Sequence, residues 1–257
     1  MIHKKTPQEL SLMKAGGKIL GGILRDLLTM ATPGVNVLSI EAAAQEKIKR
    51  AGCVPSFTTV GDYRWATCLC LNDEVVHGVP RDRKLRAGDL LTIDVGLIYK
   101  GFHVDTGWTK IITNPSYSPD KKIVEFLNTG VSALQAGIAQ ARPGNYVGDI
   151  SAAIESIIKP AGYSIIKTLV GHGVGKELHE PPQIPGFLKG RREDTPKLLA
   201  GVTIAIEVIY AAGRGSIVYT NDDGWTLATR DRSLSAVFEH SVAITPEGPL
   251  ILTHRQK

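Results

Sequence analysis

An internal repeat constrains the fold of this chain more than any other feature of its sequence. Residues 31–53 (ATPGVNVLSIEAAAQEKIKRAGC) align without a gap to residues 141–163 (ARPGNYVGDISAAIESIIKPAGY). The matching positions include proline, glycine and lysine as well as alanine and isoleucine, so low sequence complexity does not explain the alignment. The repeat predicts two similar halves, at about residues 6–110 and residues 118–245.

A second matched pair of segments aligns an acidic residue of the first half with an acidic residue of the second. Residues 84–95 (KLRAGDLLTIDV) align to residues 197–208 (KLLAGVTIAIEV), which places Asp94 at the position of Glu207. Each half predicts two helices followed by apolar strands with turn residues between them. We therefore expect one α+β catalytic domain over residues 1–257, with pseudo-twofold symmetry. Its halves would share a central antiparallel sheet, with helices on the outer face and a cleft between the halves.

Capping and breaking residues predict where the helices begin and end. Thr6 and Ser118 are each followed by proline, a pattern typical of an N-cap and the first helical position. The proline-glycine pairs at 33–34 and 143–144 predict the break between the two helices of each half.

Composition and charge indicate an ordinary globular protein. No run of about 18 apolar residues occurs, so we expect no membrane span. Residues 1–5 are not followed by a secretory signal core, so a cytoplasmic location is expected. The net charge of +5 indicates a solvated, mildly basic surface with at most weak attraction to anionic assemblies such as RNA. No specific nucleic-acid-binding motif is present in the sequence.

The three cysteines, Cys53, Cys68 and Cys70, do not indicate a disulfide framework, because their number is odd and small. Cys68 and Cys70 are separated by one residue in a strand-like segment and should share one face. Two thiols are too few for a structural zinc site, so we expect buried, reduced side chains.

A predicted hairpin brings two aspartates together. Lys100 and Gly101 suit a two-residue turn, and in the hairpin centred there Asp94 pairs with Gly107. Because strand side chains alternate, Asp94 and Asp105 then share one face and lie diagonally close. Two adjacent carboxylates are unfavourable unless a cation lies between them, so the hairpin indicates a divalent metal.

The second half supplies further residues of the same chemistry. His172 lies between two glycines that allow close backbone approach, and His179 follows seven residues later. Glu207 and Glu239 are carboxylates within otherwise apolar strands, where burial without a partner is costly. Four carboxylates and one imidazole suit two ions of Mn, Fe, Co or Zn, arranged as in two-metal hydrolases. The motifs of helix-borne zinc proteases, serine hydrolases and P-loop enzymes are absent from the sequence.

Over about residues 6–253, the chain resembles the type I methionine aminopeptidases. The motifs that carry the resemblance are residues 72–80 (NDEVVHGVP), Asp94 and Asp105 at their separation, residues 171–175 (GHGVG) with His179, Glu207, and residues 223–240 (DGWTLATRDRSLSAVFEH). The resemblance implies the pita-bread fold, with two pseudo-symmetric helix-helix-sheet halves around a central curved antiparallel sheet. It also implies removal of the initiator methionine from nascent polypeptides when the second residue is small.

The resemblance also assigns the metal ligands. Asp94, Asp105 and Glu239 would hold one divalent ion. Asp105, His172, Glu207 and Glu239 would hold the other, and Glu207 would also move protons. The implied metals are Fe, Mn, Co or Zn. The implied partners are nascent polypeptide N-termini and, as a candidate, the ribosome surface; we expect a monomer and no membrane.

The implied substrate site lies beside the metals. His179 would hydrogen-bond the substrate carbonyl, and His77 would contact the peptide nitrogen at the cut. Tyr63, Cys68 and Trp225 would line the methionine pocket, since aromatic and thiol groups suit a thioether side chain.

Some positions depart from the family pattern, and each departure concerns pocket shape rather than a metal ligand. They are Phe57, Val60, Leu178, Gly186 and Val208. Two rival functions remain open. One is a proline-directed aminopeptidase or dipeptidase of the same fold, which usually has an additional N-terminal domain. The other is a non-catalytic, ribosome-associated binding protein, which would have lost metal ligands.

Overall fold

Four helices are present in the computed structural model, which describes residues 2–255. Their bounds are α1 Pro7–Met30, α2 Val37–Arg50, α3 Lys121–Gln140 and α4 Val147–Ile158. Within the described residues, none of them is long and apolar enough to cross a membrane.

Three of the predicted helix boundaries are correct and one is wrong. Thr6 caps α1 through a capping box with Glu9, and both proline-glycine pairs lie between helices. The N-cap of α3, however, is Asp120 rather than Ser118, and its carboxylate accepts a hydrogen bond from the Lys122 amide at 2.8 Å. An aspartate two residues nearer the helix provides this acceptor, and its negative charge also suits a helix N-terminus.

The strands form one large and one small sheet. Their bounds are β1 Val54–Pro55, β2 Thr67–Leu71, β3 Glu74–Val76, β4 Leu90–Tyr99, β5 Phe102–Ile111, β6 Ser164–Ile165, β7 Gly171–Gly173, β8 Glu180–Ile184, β9 Thr203–Ala211, β10 Ile217–Tyr219, β11 Leu227–Thr229, β12 Ser235–Thr245 and β13 Gly248–Ile251. The large antiparallel sheet has the order β1-β4-β5-β12-β9-β7-β8, with β2 also on β4, β6 on β9 and β13 on β12. The small sheet has the order β10-β11-β3. Two short 3₁₀ helices cover Phe57–Thr59 and Arg192–Asp194.

The two halves repeat the same connections around a pseudo-twofold axis between β5 and β12. Asn36 forms an isolated bridge with Lys84, and Tyr146 forms the corresponding bridge with Lys197. In the sheet, β1 and β2 pair with β4 as β6 and β7 pair with β9. The repeat read from the sequence is therefore a repeat of backbone hydrogen bonding.

Each half buries its helices against the same face of the large sheet. Leu20, Leu24 and Leu27 of α1 lie at helical spacing and pack in one core cluster with Ile93 and Val95 of β4. The helices α3 and α4 form the equivalent cluster with β9 and β12. Full burial of each such leucine stabilises the fold by about 1.5–3 kcal/mol. Because strand side chains alternate, residues between these core positions face away from the helices.

Candidate active site

The registers of the four central strands place acidic side chains on the face opposite the helices. Asp94 on β4 pairs with Gly107 on β5, and Glu239 on β12 pairs with Glu207 on β9. Trp108 of β5 pairs with Phe238 of β12, which brings Gly107 opposite Glu239 in the same register. These positions form one row across the sheet, and Asp105 shares their face because it lies two residues before Gly107. The predicted hairpin register is correct.

The five predicted metal ligands come together at this row. The Nε2 atom of His172 lies 3.9 Å from Asp105 Oδ2 and 3.5 Å from Glu207 Oε1. One ligand-type atom from each of Asp105, His172 and Glu239 lies within 4.8 Å of the others. Asp94 interacts directly with the Asp105 carboxylate. The structure thus assembles the group, while metal ligation by these residues stays a prediction.

His172 is oriented as a neutral imidazole. Its Nδ1 atom lies 2.8 Å from the Gly173 carbonyl, which can only accept, so Nδ1 carries the hydrogen. Burial, together with the nearby His179, lowers the pKa of His172 to about 4. Its unprotonated Nε2 atom therefore faces the carboxylates. Histidines that bind metals are commonly oriented in this way, with the other ring nitrogen donating to a backbone carbonyl.

The carboxylates of the acidic row are buried, and several of their oxygens have no hydrogen-bond donor. Burial, followed by neighbouring negative charge, raises the pKa of Asp94, Glu207 and Glu239. Burial likewise raises the pKa of Asp105 to about 7. Within residues 2–255, Asp94 Oδ1, Asp105 Oδ1 and Glu239 Oε1 are buried without a hydrogen-bond partner. Buried oxygens without donors are unfavourable, and a divalent cation among them would satisfy all three.

Gly107 leaves room inside the acidic row. A Cβ atom at this position would lie 3.3 Å from Glu239 Oε2 and 3.6 Å from both Cβ and Cγ of Asp94. A side chain there would enter the space between the two carboxylates. The donor set and the space it encloses therefore fit a metal centre.

The two further histidines, His77 and His179, line the same cavity. The His179 ring contacts the His172 ring with centroids 4.4 Å apart, and the His77 ring lies 6.4 Å from that of Trp225. His77 follows β3 directly and adopts a left-handed backbone conformation with φ of 56°. Burial lowers the pKa of both His77 and His179, so each is neutral near pH 7 and can donate one hydrogen bond.

An aromatic pocket adjoins the acidic row. Tyr63 and Cys68 are buried in one cluster, and Trp225 packs edge-to-face on Tyr63 with centroids 5.1 Å apart. The Tyr63 hydroxyl donates to the Thr67 carbonyl at 2.8 Å, which leaves its ring free to form the pocket wall. Cys68 lies on β2 opposite Asp94, so the pocket is continuous with the acidic row.

All ten predicted site residues line a single cavity of about 540 Å³. Of the departures from the family pattern, Phe57, Val60 and Leu178 also line it, whereas Val208 lies in the helix-facing core and Gly186 packs near Ile165. Sequence reasoning did not identify several other lining residues. These are Val76, Leu169, Val170, Gly171, Glu180, Pro181, Gln183 and Ile209. Val76, Gly171 and Glu180 each adjoin a predicted site residue in the sequence, which was the available signal for these three.

The sequence profile of Metallopeptidase family M24 matches residues 11–246 of this chain. The chain belongs to metallopeptidase family M24. Methionine aminopeptidase 1 of Bacillus subtilis (strain 168) is 38% identical over 253 residues, covering 98% of this chain and 99% of that protein. The resemblance first seen in the motifs is thereby confirmed.

Solved structures agree with the family assignment. The crystal structure of a methionine aminopeptidase from Thermotoga maritima matches with a TM-score of 0.93 and 37% identity, covering 99% of this chain and 100% of that one. A prolidase from Pyrococcus furiosus matches with a TM-score of 0.78, 23% identity and coverage of 99% and 66%, respectively, which shows a shared fold alone. The predicted pita-bread fold is confirmed.

Family membership and the site chemistry point to the same cofactor class. An M24 peptidase is a metal-dependent hydrolase of peptides, so this chain uses divalent metal ions. The clustered ligand-type atoms of Asp105, His172 and Glu239 are compatible with such an ion.

Proposed function

We propose that this chain hydrolyses the first peptide bond of nascent polypeptides and releases the initiator methionine when the second residue is small. The observation that carries the proposal is one cavity in which an acid-and-histidine cluster adjoins an aromatic and thiol pocket. The names of the relatives that match over nearly their full length support the same substrate.

We further propose that the site takes two divalent ions, of Fe, Mn, Co or Zn. Asp94, Asp105 and Glu239 would hold one, and Asp105, His172, Glu207 and Glu239 the other. Four carboxylates supply enough negative charge for two such ions, and oxygen-rich ligation with one imidazole selects this group of metals. When bound, the ions supply Lewis acidity toward the scissile carbonyl and make water a better nucleophile.

Three side chains would act on the substrate. Glu207, whose pKa burial raises, would accept a proton from the attacking water and deliver it to the leaving amine. His179 would donate a hydrogen bond to the carbonyl oxygen as negative charge develops there. His77, which lines the same cavity, would contact the nitrogen at the cut.

The pocket would select the first side chain. Tyr63, Cys68 and Trp225 offer ring edges and a neutral thiol to a thioether, since burial raises the pKa of the Cys68 thiol. Leu178 adds a branched aliphatic group to this wall. His77 and His179 would crowd the bond from the side away from this pocket, which would leave room only for a small second residue.

We also propose the domain organisation, location and partners of this enzyme. Residues 1–257 would act as a single catalytic domain, with halves at about residues 6–110 and 118–245. It would work as a cytoplasmic monomer on nascent polypeptide N-termini, with the ribosome surface as a candidate partner.

A peptide panel tests the proposed specificity. We expect the purified protein, loaded in turn with each candidate metal, to release methionine from Met-Ala, Met-Gly and Met-Pro peptides but not from Met-Leu peptides. Leucine in place of the first methionine should lower kcat/KM about 10- to 200-fold, because a pocket discriminates such side chains by shape alone. Mass spectrometry of the products measures both outcomes.

The same panel distinguishes the rival functions. Cleavage of Xaa-Pro peptides with other first residues as fast as Met-Ala peptides would establish the proline-directed enzyme instead. Absence of both cleavage and bound metal would establish a binding protein.

A further inference from the structure

A buried ion pair joins the start of the chain to the active-site loop. The Lys5 Nζ atom lies 2.6 Å from Glu180 Oε2, and the two side chains are only 1% and 9% exposed. Lys5 immediately precedes the cap of α1, whereas Glu180 immediately follows His179 and lines the cavity. Residues far apart in the sequence therefore meet directly behind a proposed catalytic side chain.

Stability alone is a poor explanation for this pair. Removing both charges from water costs several kcal/mol per ion, which their attraction offsets only with good geometry. Burial lowers the pKa of Lys5, although the hydrogen bond and charge of Glu180 act in the opposite direction. A buried pair of this kind is therefore weak evidence of net stabilisation, and in some proteins such pairs fix the position of the groups they join.

The loop that carries His179 is folded around the ammonium group. Glu180 Oε1 accepts the Glu177 amide at 3.2 Å and so closes the turn that contains His179. A Cβ atom on Gly175 would lie 2.6 Å from Lys5 Nζ and 2.8 Å from Glu180 Oε1, so the backbone approaches as closely as glycine allows. The loop and the lysine thus fit each other without intervening space.

Lys5 itself is held by the rest of the fold. Its backbone amide donates to the Gly201 carbonyl at 2.8 Å, and the Gly201 amide donates to the Ile244 carbonyl of β12 at 2.8 Å. The backbone of Lys5 is therefore anchored, through Gly201, to the strand that also carries Glu239. Lys5 thus connects the loop that carries His179 to the strand that carries Glu239.

The ring of His179 depends on the backbone that carries it. Among residues 2–255, its ring contacts the His172 ring but receives no hydrogen bond that would fix its orientation. The turn anchored by Glu180 is thus the element that sets its distance from the carboxylates. A shift of about 1 Å in such a group can lower a rate about 100-fold.

We propose that the Lys5–Glu180 ion pair positions His179, which makes Lys5 a positioning residue of the active site. The inference rests on the proposed function, in which His179 contacts the substrate carbonyl. The residue that precedes the N-cap of α1 is then part of the catalytic scaffold.

The first test compares Lys5→Met with Lys4→Met in the metal-loaded enzyme acting on a Met-Ala peptide. Methionine preserves most of the lysine length without its charge, and Lys4 is the exposed neighbour that serves as the matched control. We expect Lys5→Met to lower kcat about 10- to 100-fold with KM nearly unchanged, because His179 acts in the transition state. An equal effect of Lys4→Met, or a change in KM alone, would overturn the proposal.

A double-mutant cycle tests whether Lys5 acts through His179. In a His179→Ala background, Lys5→Met should change kcat less than about 2-fold, because the group it positions is gone. The same fold-loss in both backgrounds would mean that Lys5 acts by another route. The Lys5→Met, Glu180→Gln double variant removes the unpaired charge, so its kcat should stay low even where its melting temperature recovers.

An NMR measurement separates failure of this inference from failure of the proposed function. The imidazole signals of His179 in the labelled, metal-loaded protein should shift with Lys5→Met and not with Lys4→Met, whatever peptide the enzyme cuts. Unchanged signals would overturn the positioning role, whereas shifted signals without methionine release would count against the proposed substrate only.

Discussion

Glu207 illustrates how a single residue combines two proposed tasks. It lies opposite Glu239 on neighbouring strands and 3.5 Å from His172 Nε2. We predict that Glu207→Gln lowers kcat about 100- to 10,000-fold, because an amide neither binds a cation nor accepts a proton as a carboxylate does. Steady-state kinetics on a Met-Ala peptide, with metal content measured on the same sample, checks this outcome.

The control for this substitution is an exposed carboxylate. Glu193 lies on a short surface 3₁₀ helix, and Glu193→Gln should leave kcat and metal content unchanged. Near-normal turnover by Glu207→Gln with a full complement of metal would contradict the proton-transfer role. Circular dichroism of each variant shows whether its fold is retained.

At the scale of elements, the end of α1 depends on a residue from the sheet. The last turn of α1 contains no basic residue, but Lys110 of β5 donates to the carbonyls of Leu28 at 2.9 Å and Ala31 at 3.0 Å. We predict that Lys110→Met lowers the free energy of unfolding by about 1–3 kcal/mol, since it removes charged hydrogen bonds from a helix C-terminus. Urea unfolding measures the change.

Lys18 offers a matched comparison for this prediction. It is an exposed lysine on the same helix, and Lys18→Met should alter the free energy of unfolding by less than about 0.5 kcal/mol. If both variants unfold at the same urea concentration as the parent protein, the carbonyl contacts of Lys110 do not stabilise α1.

Elements with strong local signals were predictable from the sequence, and elements without them were not. The turn at Lys100 and Gly101 has positive φ values of 49° and 80°, as the predicted hairpin requires. The strands β3, β10 and β11 have only three residues each, too few for a hydrophobic period to be recognised. Their sheet joins segments from both halves, so the repeat did not reveal it either.

At the scale of the whole molecule, the repeat explains why the ligands converge. Asp94 and Glu207 are equivalent positions on β4 and β9, on either side of the pseudo-twofold axis. The symmetry is broken at the centre of the row. Gly107 pairs with Asp94 in one half, whereas Glu239 is the equivalent residue that pairs with Glu207 in the other. The sequence therefore predicted that these side chains converge, and their role as metal ligands stays a prediction. It could not predict Lys5 with Glu180, because nothing local links residues 175 positions apart.

The acidic centre couples the stability of the whole molecule to metal and pH. Burial raises the pKa of Asp105 in the metal-free fold from 3.8 to about 7, so the folded state holds a proton that the unfolded state releases. This contribution to stability is complete below about pH 3.8 and is lost as pH rises toward 7.

We predict that the melting temperature of chelator-treated protein falls over this interval relative to that of the metal-loaded protein. A cation favours the ionised carboxylates, so its stabilising effect should grow with pH in the same interval. Calorimetry of both forms from pH 4 to 8 measures the difference, and Asp105→Asn should reduce its pH dependence. A difference that stays constant or shrinks as pH rises would mean that the carboxylate row is not the metal centre.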